Sequence, residues 1–116
     1  MIIKKGCNYE CNYSDGELRV SLRGEIDHHS AVAVRSAIDE KIYELRPKRM
    51  VMDLSRIDFM DSSGLGLIMG RYALIQKLGG ELIVSEPSDR VLRVFELAGL
   101  GRIIKIVNKK RGGGKE

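Results

Sequence analysis

A carboxylate and two hydroxyls stand together at residues 61–63, in the segment MDSSGLGLIMG. An apolar run precedes the segment and another follows it, so we expect it to join a strand to the start of a helix. Asp and Ser are favoured helix N-caps, and one of these residues is expected to cap the helix. Capping does not explain the glycines at 64, 66 and 70, because each costs about 1 kcal/mol relative to alanine inside a helix. The glycines indicate that the helix is approached closely on one face.

Two of the chemistries open to this segment involve catalysis or a nucleotide. A dinucleotide site would use the glycines together with Glu86, about twenty residues further on. However, the spacing G-L-G-L-I-M-G is one residue longer than usual, and the chain is short for a two-halved dinucleotide fold. Nucleophilic catalysis would use Ser62 or Ser63. Its general base would be His28 or His29, but S-S-G-L-G is not the G-x-S-x-G elbow of serine hydrolases.

The third chemistry is phosphorylation of a serine. A phosphate at a helix N-terminus meets unpaired N–H groups and the positive end of the helix dipole. A serine at this position can therefore accept a phosphoryl group at little internal cost. Gly64 and Gly66 carry no side chains that would obstruct a kinase.

The elements around this segment alternate between strands and helices. The runs CNYECNY and ELRVSLRG are joined by an Asp-Gly pair, which predicts a β-hairpin. A helix is predicted to begin at about Asp27 or Ser30 and to end at Leu45, followed by the strand MVMDL, a helix over about residues 62–78 and the strand ELIVSE. A third helix after Ser88 and a strand in RIIKIV complete the order. We predict one α/β domain, with a mixed sheet of four to five strands, parallel at its centre, and three to four helices.

In such sheets, functional groups gather at the carboxyl ends of the parallel strands. Two loops are predicted there, at residues 24–29 and 58–66. They leave neighbouring strands, so we expect them to lie side by side.

Composition fits a globular protein of one domain: 116 residues, 43% hydrophobic and 31% charged. The formal net charge is +4, but residues 108–116 hold four basic residues and one acid, which leaves the rest at +1. We therefore predict a domain over residues 1–107, a disordered basic Gly-rich tail over residues 108–116, and no direct nucleic-acid partner. No apolar run is long enough to cross a membrane and no secretory signal is present, which predicts a cytoplasmic protein.

The two cysteines, Cys7 and Cys11, lie about 13 Å apart along a predicted strand, too far for a disulfide. No histidine follows them at zinc-binding spacing. We expect reduced thiols, no metal site and no cofactor.

The motif D-S-S-G-L-G, with GEIDHH upstream and VFELAGL downstream, resembles the STAS domain of bacterial anti-sigma-factor antagonists up to about Val107. The resemblance implies a partner-switching protein with no catalytic activity. It makes the first serine of the motif, Ser62, the phosphoacceptor. Its neighbours in the motif are Asp61, Ser63, Gly64 and Gly66.

The resemblance also implies the partners. The kinase is a dimeric anti-sigma factor with an ATP-binding fold, and a PP2C-type phosphatase reverses the phosphorylation. The unphosphorylated antagonist binds the ADP-loaded kinase and releases a sporulation sigma factor, whereas the phosphorylated form does not bind. A general-stress-type antagonist and a STAS signalling scaffold are the alternatives, followed by a nucleotide-binding protein.

The partner surface is expected to join residues 24–29 to the start of the second helix. Asp27 and Glu25 are its predicted charged contacts, to a basic residue of the kinase. Asp27 is equally suited to cap the first helix. Met60 and Leu65 are predicted to supply apolar area, and Ile68 is expected either to add to it or to belong to the core.

Overall fold

The computed structural model describes residues 7–108. Its elements are β1 (Cys7–Ser14), β2 (Glu17–Ile26), α1 (His28–Leu45), β3 (Arg49–Met60), α2 (Ser62–Lys77), β4 (Glu81–Ser85), α3 (Asp89–Ala98) and β5 (Lys105–Val107), with a 3-10 helix at Leu100–Arg102. Residues 109–116, which make up most of the predicted basic tail, lie outside the described residues. The order of elements is the predicted one.

The sheet follows the order of the chain, β1-β2-β3-β4-β5. β1 pairs with β2 antiparallel, and the other three pairings are parallel. At the hairpin, Asp15 and Gly16 have φ values of 50° and 81°, the left-handed backbone that tight two-residue hairpin turns require. The mixed sheet with a parallel centre is confirmed.

One face of the sheet carries the core. Leu18 and Val20 of β2 are fully buried, and they belong to one cluster with residues of all three helices, among them Ile38, Ile68 and Phe95. Fully burying one such side chain contributes about 1.5–3 kcal/mol. Because side chains alternate along a strand, Arg19, Ser21 and Arg23 point to the opposite face, which is polar there. The half-buried Cys11 packs on the core side as a free thiol, and burial raises its pKa.

An ion pair joins the first two helices. The Arg71 Nε of α2 lies 2.8 Å from the Asp39 Oδ1 of α1, and Arg71 is only 6% exposed. Arg71 also donates to the Leu67 carbonyl at 3.2 Å. Burial lowers the pKa of Arg71, and the nearby Asp39 carboxylate opposes that shift. The pair fixes α1 against α2, and the starts of these two helices form the candidate site.

β3 is longer than predicted. The apolar run MVMDL marks only its first half, and the strand continues to Met60. In the second half, the buried residues Leu54, Ile57 and Met60 recur every three residues instead of every two. Strands are recognised in a sequence by apolar residues at every second position, so this spacing does not indicate a strand.

The irregular spacing has its origin in two bulges. Ser21 and Arg23 of β2 pair with Asp53 and Arg56, so β3 has one more residue than β2 in this stretch. A second extra residue lies between the partners of Gly24 and Glu25. A bulge inserts one residue and turns the following side chains to the other face. Residues 24–26 and 58–60, predicted as loop, are therefore strand.

Candidate functional site

The starts of α1 and α2 lie at one edge of the sheet. Ile26 and Met60, the last residues of β2 and β3, are register partners. The Asp61 N–H donates to the Ile26 carbonyl at 3.2 Å, which ties the two strand ends together. Strand pairing therefore places residues 24–29 beside the start of the second helix, as predicted.

Asp27 caps α1 through a closed set of bonds. Its Oδ1 accepts from the Ser30 N–H at 2.9 Å, and its own N–H donates to the Ser30 hydroxyl at 3.0 Å. This reciprocal pair is a capping box. The backbone hydrogen bond from Ser30, followed by the side-chain bond from Ser30, lowers the pKa of Asp27. The predicted N-cap role of Asp27 is confirmed, while its contact with a partner stays a prediction.

Asp61 caps α2 more simply. Its Oδ1 accepts from the Ser63 N–H at 2.8 Å, and its carbonyl accepts from the Gly64 N–H at 2.9 Å. Ser62 is the first residue of the helix and is exposed. Within the described part of the chain, the Ser62 hydroxyl forms no hydrogen bond. The local structure therefore leaves this hydroxyl available for modification.

Gly64 is required by packing. A Cβ at this position would lie 2.2 Å from the Met60 Cγ and 2.7 Å from its sulfur, distances that real contacts do not reach. Met60 is 3% exposed and belongs to the core. The prediction that Met60 supplies apolar area to a partner is wrong in this structure, because the side chain turns inward beneath Gly64.

The other two glycines of α2 have open surroundings. A Cβ at Gly66 or at Gly70 would meet nothing within 4 Å in the described chain. The expected close approach to this face is therefore not made by another part of the described structure. Leu65 is half-buried at the start of the same helix, and the neighbouring Ile68 is fully buried.

Sequence reasoning missed Phe59. This ring is 44% exposed, and its residue pairs with Glu25 of β2, also exposed, at the end of the strands. An exposed aromatic beside the D-S-S-G-L-G segment is a signal in its own right, since Phe is usually buried. The prediction of a loop at 58–60 concealed that Phe59 and Met60 point in opposite directions.

The geometry disfavours the dinucleotide reading. Glu86 follows Ser85, which pairs with Asp53 in the middle of β3. From that level to Met60, the sheet continues for five residues of β2, about 16 Å. Glu86 and the glycines of α2 therefore do not converge on one ligand site.

The structure also shows no contact between a serine and a histidine of the kind that a serine hydrolase requires, within residues 7–108. His28 and His29 are exposed in the first turn of α1. Among the described residues, no hydrogen bond joins either imidazole to Ser62 or Ser63. No group of three or more potential metal ligands occurs within residues 7–108. Over the same range, no helix combines the length and the apolar character that crossing a bilayer requires.

Comparison with known proteins agrees with this geometry. The family model that describes STAS domain sequences matches residues 8–111 of this chain. The chain is 41% identical over 101 residues to an anti-sigma F factor antagonist of Paenibacillus polymyxa, covering 87% of this chain and 86% of that protein. It is 33% identical over 108 residues to an anti-sigma-B factor antagonist of Bacillus subtilis (strain 168), and the match covers 91% of this chain and 95% of that protein.

Solved structures show the same fold. The anti-sigma factor antagonist SpoIIAA in its unphosphorylated form superposes with a TM-score of 0.76 at 28% identity, covering 90% of this chain and 92% of that one. For SpoIIAA in its phosphorylated form, the TM-score is 0.69 at 27% identity, and the match covers 93% of this chain and 98% of that one. STAS-type antagonists of this kind are binding and regulatory proteins, not enzymes. From its sequence, its sheet topology and its relatives, the chain belongs to the STAS domain family.

Proposed function

We propose that this protein is an anti-sigma factor antagonist controlled by phosphorylation of Ser62. The unphosphorylated form binds an anti-sigma factor serine kinase and frees the sigma factor, and phosphorylation abolishes binding. The observation that carries this proposal is the exposed Ser62 at the N-terminus of α2, with a hydroxyl that no described residue engages. A phosphate at this point lies where helix N–H groups and the helix dipole favour an anion.

The proposed partner surface surrounds Ser62. Glu25 and Asp27 supply negative charge at the end of β2 and the start of α1, suited to a basic residue of the kinase. Leu65 and the exposed ring of Phe59 supply apolar area, with Phe59 taking the place predicted for Met60. The open face at Gly66 lets a partner backbone approach α2.

The proposed kinase is a dimeric, ATP- and ADP-binding anti-sigma factor, and a PP2C-type phosphatase removes the phosphate. A sporulation sigma factor is our first choice, because identity to the sigma F antagonist exceeds identity to the sigma B antagonist. A general-stress-type partner is the second candidate, supported by the longer match to the latter. Either assignment places the protein in the cytoplasm, where sigma factors act.

Phosphorylation is tested with a cognate serine kinase and ATP. Mass spectrometry of peptides should find phosphate on Ser62 alone. Ser63→Ala is the matched control, since it removes the adjacent hydroxyl and leaves the Asp61 cap, which uses the Ser63 backbone. Phosphate on Ser63 in the wild type, or on neither serine, would contradict the assignment.

Binding is tested by a pull-down with the anti-sigma factor loaded with ADP. Unphosphorylated protein should be retained and phosphorylated protein released. Asp27→Asn keeps most of the cap while removing the charge, so weaker binding of this variant at low salt would identify an ionic contact. Serine-dependent turnover of an ester substrate, without retention by the anti-sigma factor, would instead indicate a hydrolase.

A further inference from the structure

The polar face of the sheet contains a cleft of about 230 Å³ across β1, β2 and β3. Two rows of side chains form its floor. Asn8, Arg23 and Arg56 are register partners in one row. Glu10, Ser21 and Asp53 are register partners in the next, two residues or about 7 Å away along the strands.

The first row brings two like charges together. Arg23 and Arg56 occupy paired positions on adjacent strands, where backbones are about 4.8 Å apart and like charges destabilise the sheet. Within residues 7–108, no carboxylate lies at ion-pair distance from either guanidinium. Among the residues that the structure describes, the charge of this pair is therefore left without an acidic partner.

Arg49 on the same face provides an internal comparison. It sits between Glu17 and Glu81, its neighbours on β2 and β4, with ion-pair distances of 3.8 and 3.7 Å. One arginine on this face is thus neutralised from both sides, whereas the pair in the cleft is not. The difference marks the cleft as a place for an anion from outside.

The first bulge of β3 creates the pair. Arg56 lies three residues after Asp53, and in a regular strand it would point to the opposite face. The extra residue brings Arg56 level with Arg23 on the polar face. Bulges often redirect a side chain beside a functional site.

We propose that this cleft binds a small phosphate monoester. Arg23 and Arg56 hold the phosphate, whose oxygens match the donors of two guanidinium groups. The acidic row of Glu10 and Asp53 accepts hydrogen bonds from hydroxyl or amino groups on the rest of the ligand. The volume, below the roughly 300–1,000 Å³ of larger ligand pockets, restricts the ligand to a small molecule.

The test is an NMR titration of the ¹⁵N-labelled chain with inorganic phosphate and with glycerol 3-phosphate at constant ionic strength. Amide shifts should centre on residues of the cleft, and glycerol 3-phosphate should bind more tightly than inorganic phosphate. Arg56→Gln should weaken binding about tenfold to a hundredfold, the effect of losing a charged hydrogen bond. Arg49→Gln removes the same charge from the same face and should change the affinity less than twofold.

Stability separates this role from a structural one. In phosphate-free buffer, Arg56→Gln should raise the melting temperature, because it relieves the repulsion between the arginines. Equal loss of affinity in Arg49→Gln would overturn the proposal, as would shifts centred on Ser62, or a lower melting temperature in Arg56→Gln with binding unchanged.

Discussion

The first turns of α1 and α2 begin at the same edge of the sheet, and each is capped by an aspartate, Asp27 or Asp61. The two turns differ in whether a serine hydroxyl takes part in the cap. At α1, the Ser30 hydroxyl closes a box with Asp27. At α2, the Asp61 cap uses only the backbone of Ser63, and the Ser62 hydroxyl remains exposed. One helix start is thus closed by its own hydrogen bonds, whereas the other keeps a serine hydroxyl exposed on the surface.

The largest expected effect concerns Ser62. Phosphorylation should lower the affinity for the anti-sigma factor about a thousandfold. It adds a charge of about −1.5 to −2, and a single partner carboxylate facing Ser62 at about 4 Å would repel that charge by about 4 kcal/mol at an effective dielectric near 20. Titration calorimetry of the two forms measures this ratio.

The phosphate should block the contact without remodelling the fold. Its interaction with the helix end is worth about 0.3–2 kcal/mol, and its sign is favourable to the fold. Backbone NMR should show changes confined to the surroundings of Ser62. Widespread changes in the sheet or in α3 would mean that the switch is conformational. Phosphorylation would then not act only at the surface around the start of α2.

Gly64→Ala should lower the free energy of unfolding by about 1–2 kcal/mol, because the new methyl group enters the space of Met60 and overpacking outweighs the gain in helix propensity. Urea denaturation measures the change. In a double-mutant cycle, Met60→Ala should reduce the cost of Gly64→Ala, since it removes the atoms that clash. Additive effects would mean that Met60 does not fill this space.

Gly66→Ala should raise the free energy of unfolding by about 0.5–1 kcal/mol, because alanine favours the helix and meets no neighbouring atom. The same variant should bind the anti-sigma factor more weakly if a partner packs against this face. Gly70→Ala, one turn further along and equally unobstructed, is the control for stability. Destabilisation by both variants would show that the face of α2 is not open.

The smallest effect concerns the pH dependence of the α1 cap. Because the pKa of Asp27 is lowered from its ordinary value of 3.8, ionised Asp27 stabilises the fold above that pH. The contribution is lost as the pH falls through the lowered pKa of the folded state. The stability difference between wild type and Asp27→Asn should therefore be constant at neutral pH and disappear in strong acid.

Thermal melts between pH 2 and pH 7 follow this difference. Asp58→Asn, which removes an exposed carboxylate outside both helix starts, should show no such loss. A difference between wild type and Asp27→Asn that stays undiminished from pH 7 to pH 2 would mean that the ionised cap is not its source.

Most of the fold could be predicted because its signals are local. The Asp15-Gly16 pair marks the hairpin, and Gly99 ends α3 with a φ of 71°. Asp61 and Ser62 were placed correctly at the start of α2, because capping depends on residues adjacent in the chain. Parallel pairing then brought Asp27 to the same edge.

The errors depend on contacts between distant or irregularly spaced residues. Nothing in the sequence shows that β3 contains two bulges, so the sequence alone predicts a loop in its second half. For the same reason, the sequence does not show that Met60 is buried and that Phe59 is exposed. The pairing of Arg23 with Arg56 is equally invisible until the register is known, because it depends on one inserted residue.

The order of strands in the sheet has a consequence for synthesis of the chain. Each strand pairs with the one made just before it, from β1 to β5. During translation, the nascent chain can thus complete the hairpin, then dock α1 and β3, before β4 leaves the ribosome. No strand has to wait for a later one to be inserted beside it, so the sheet grows at a single edge in the direction of translation.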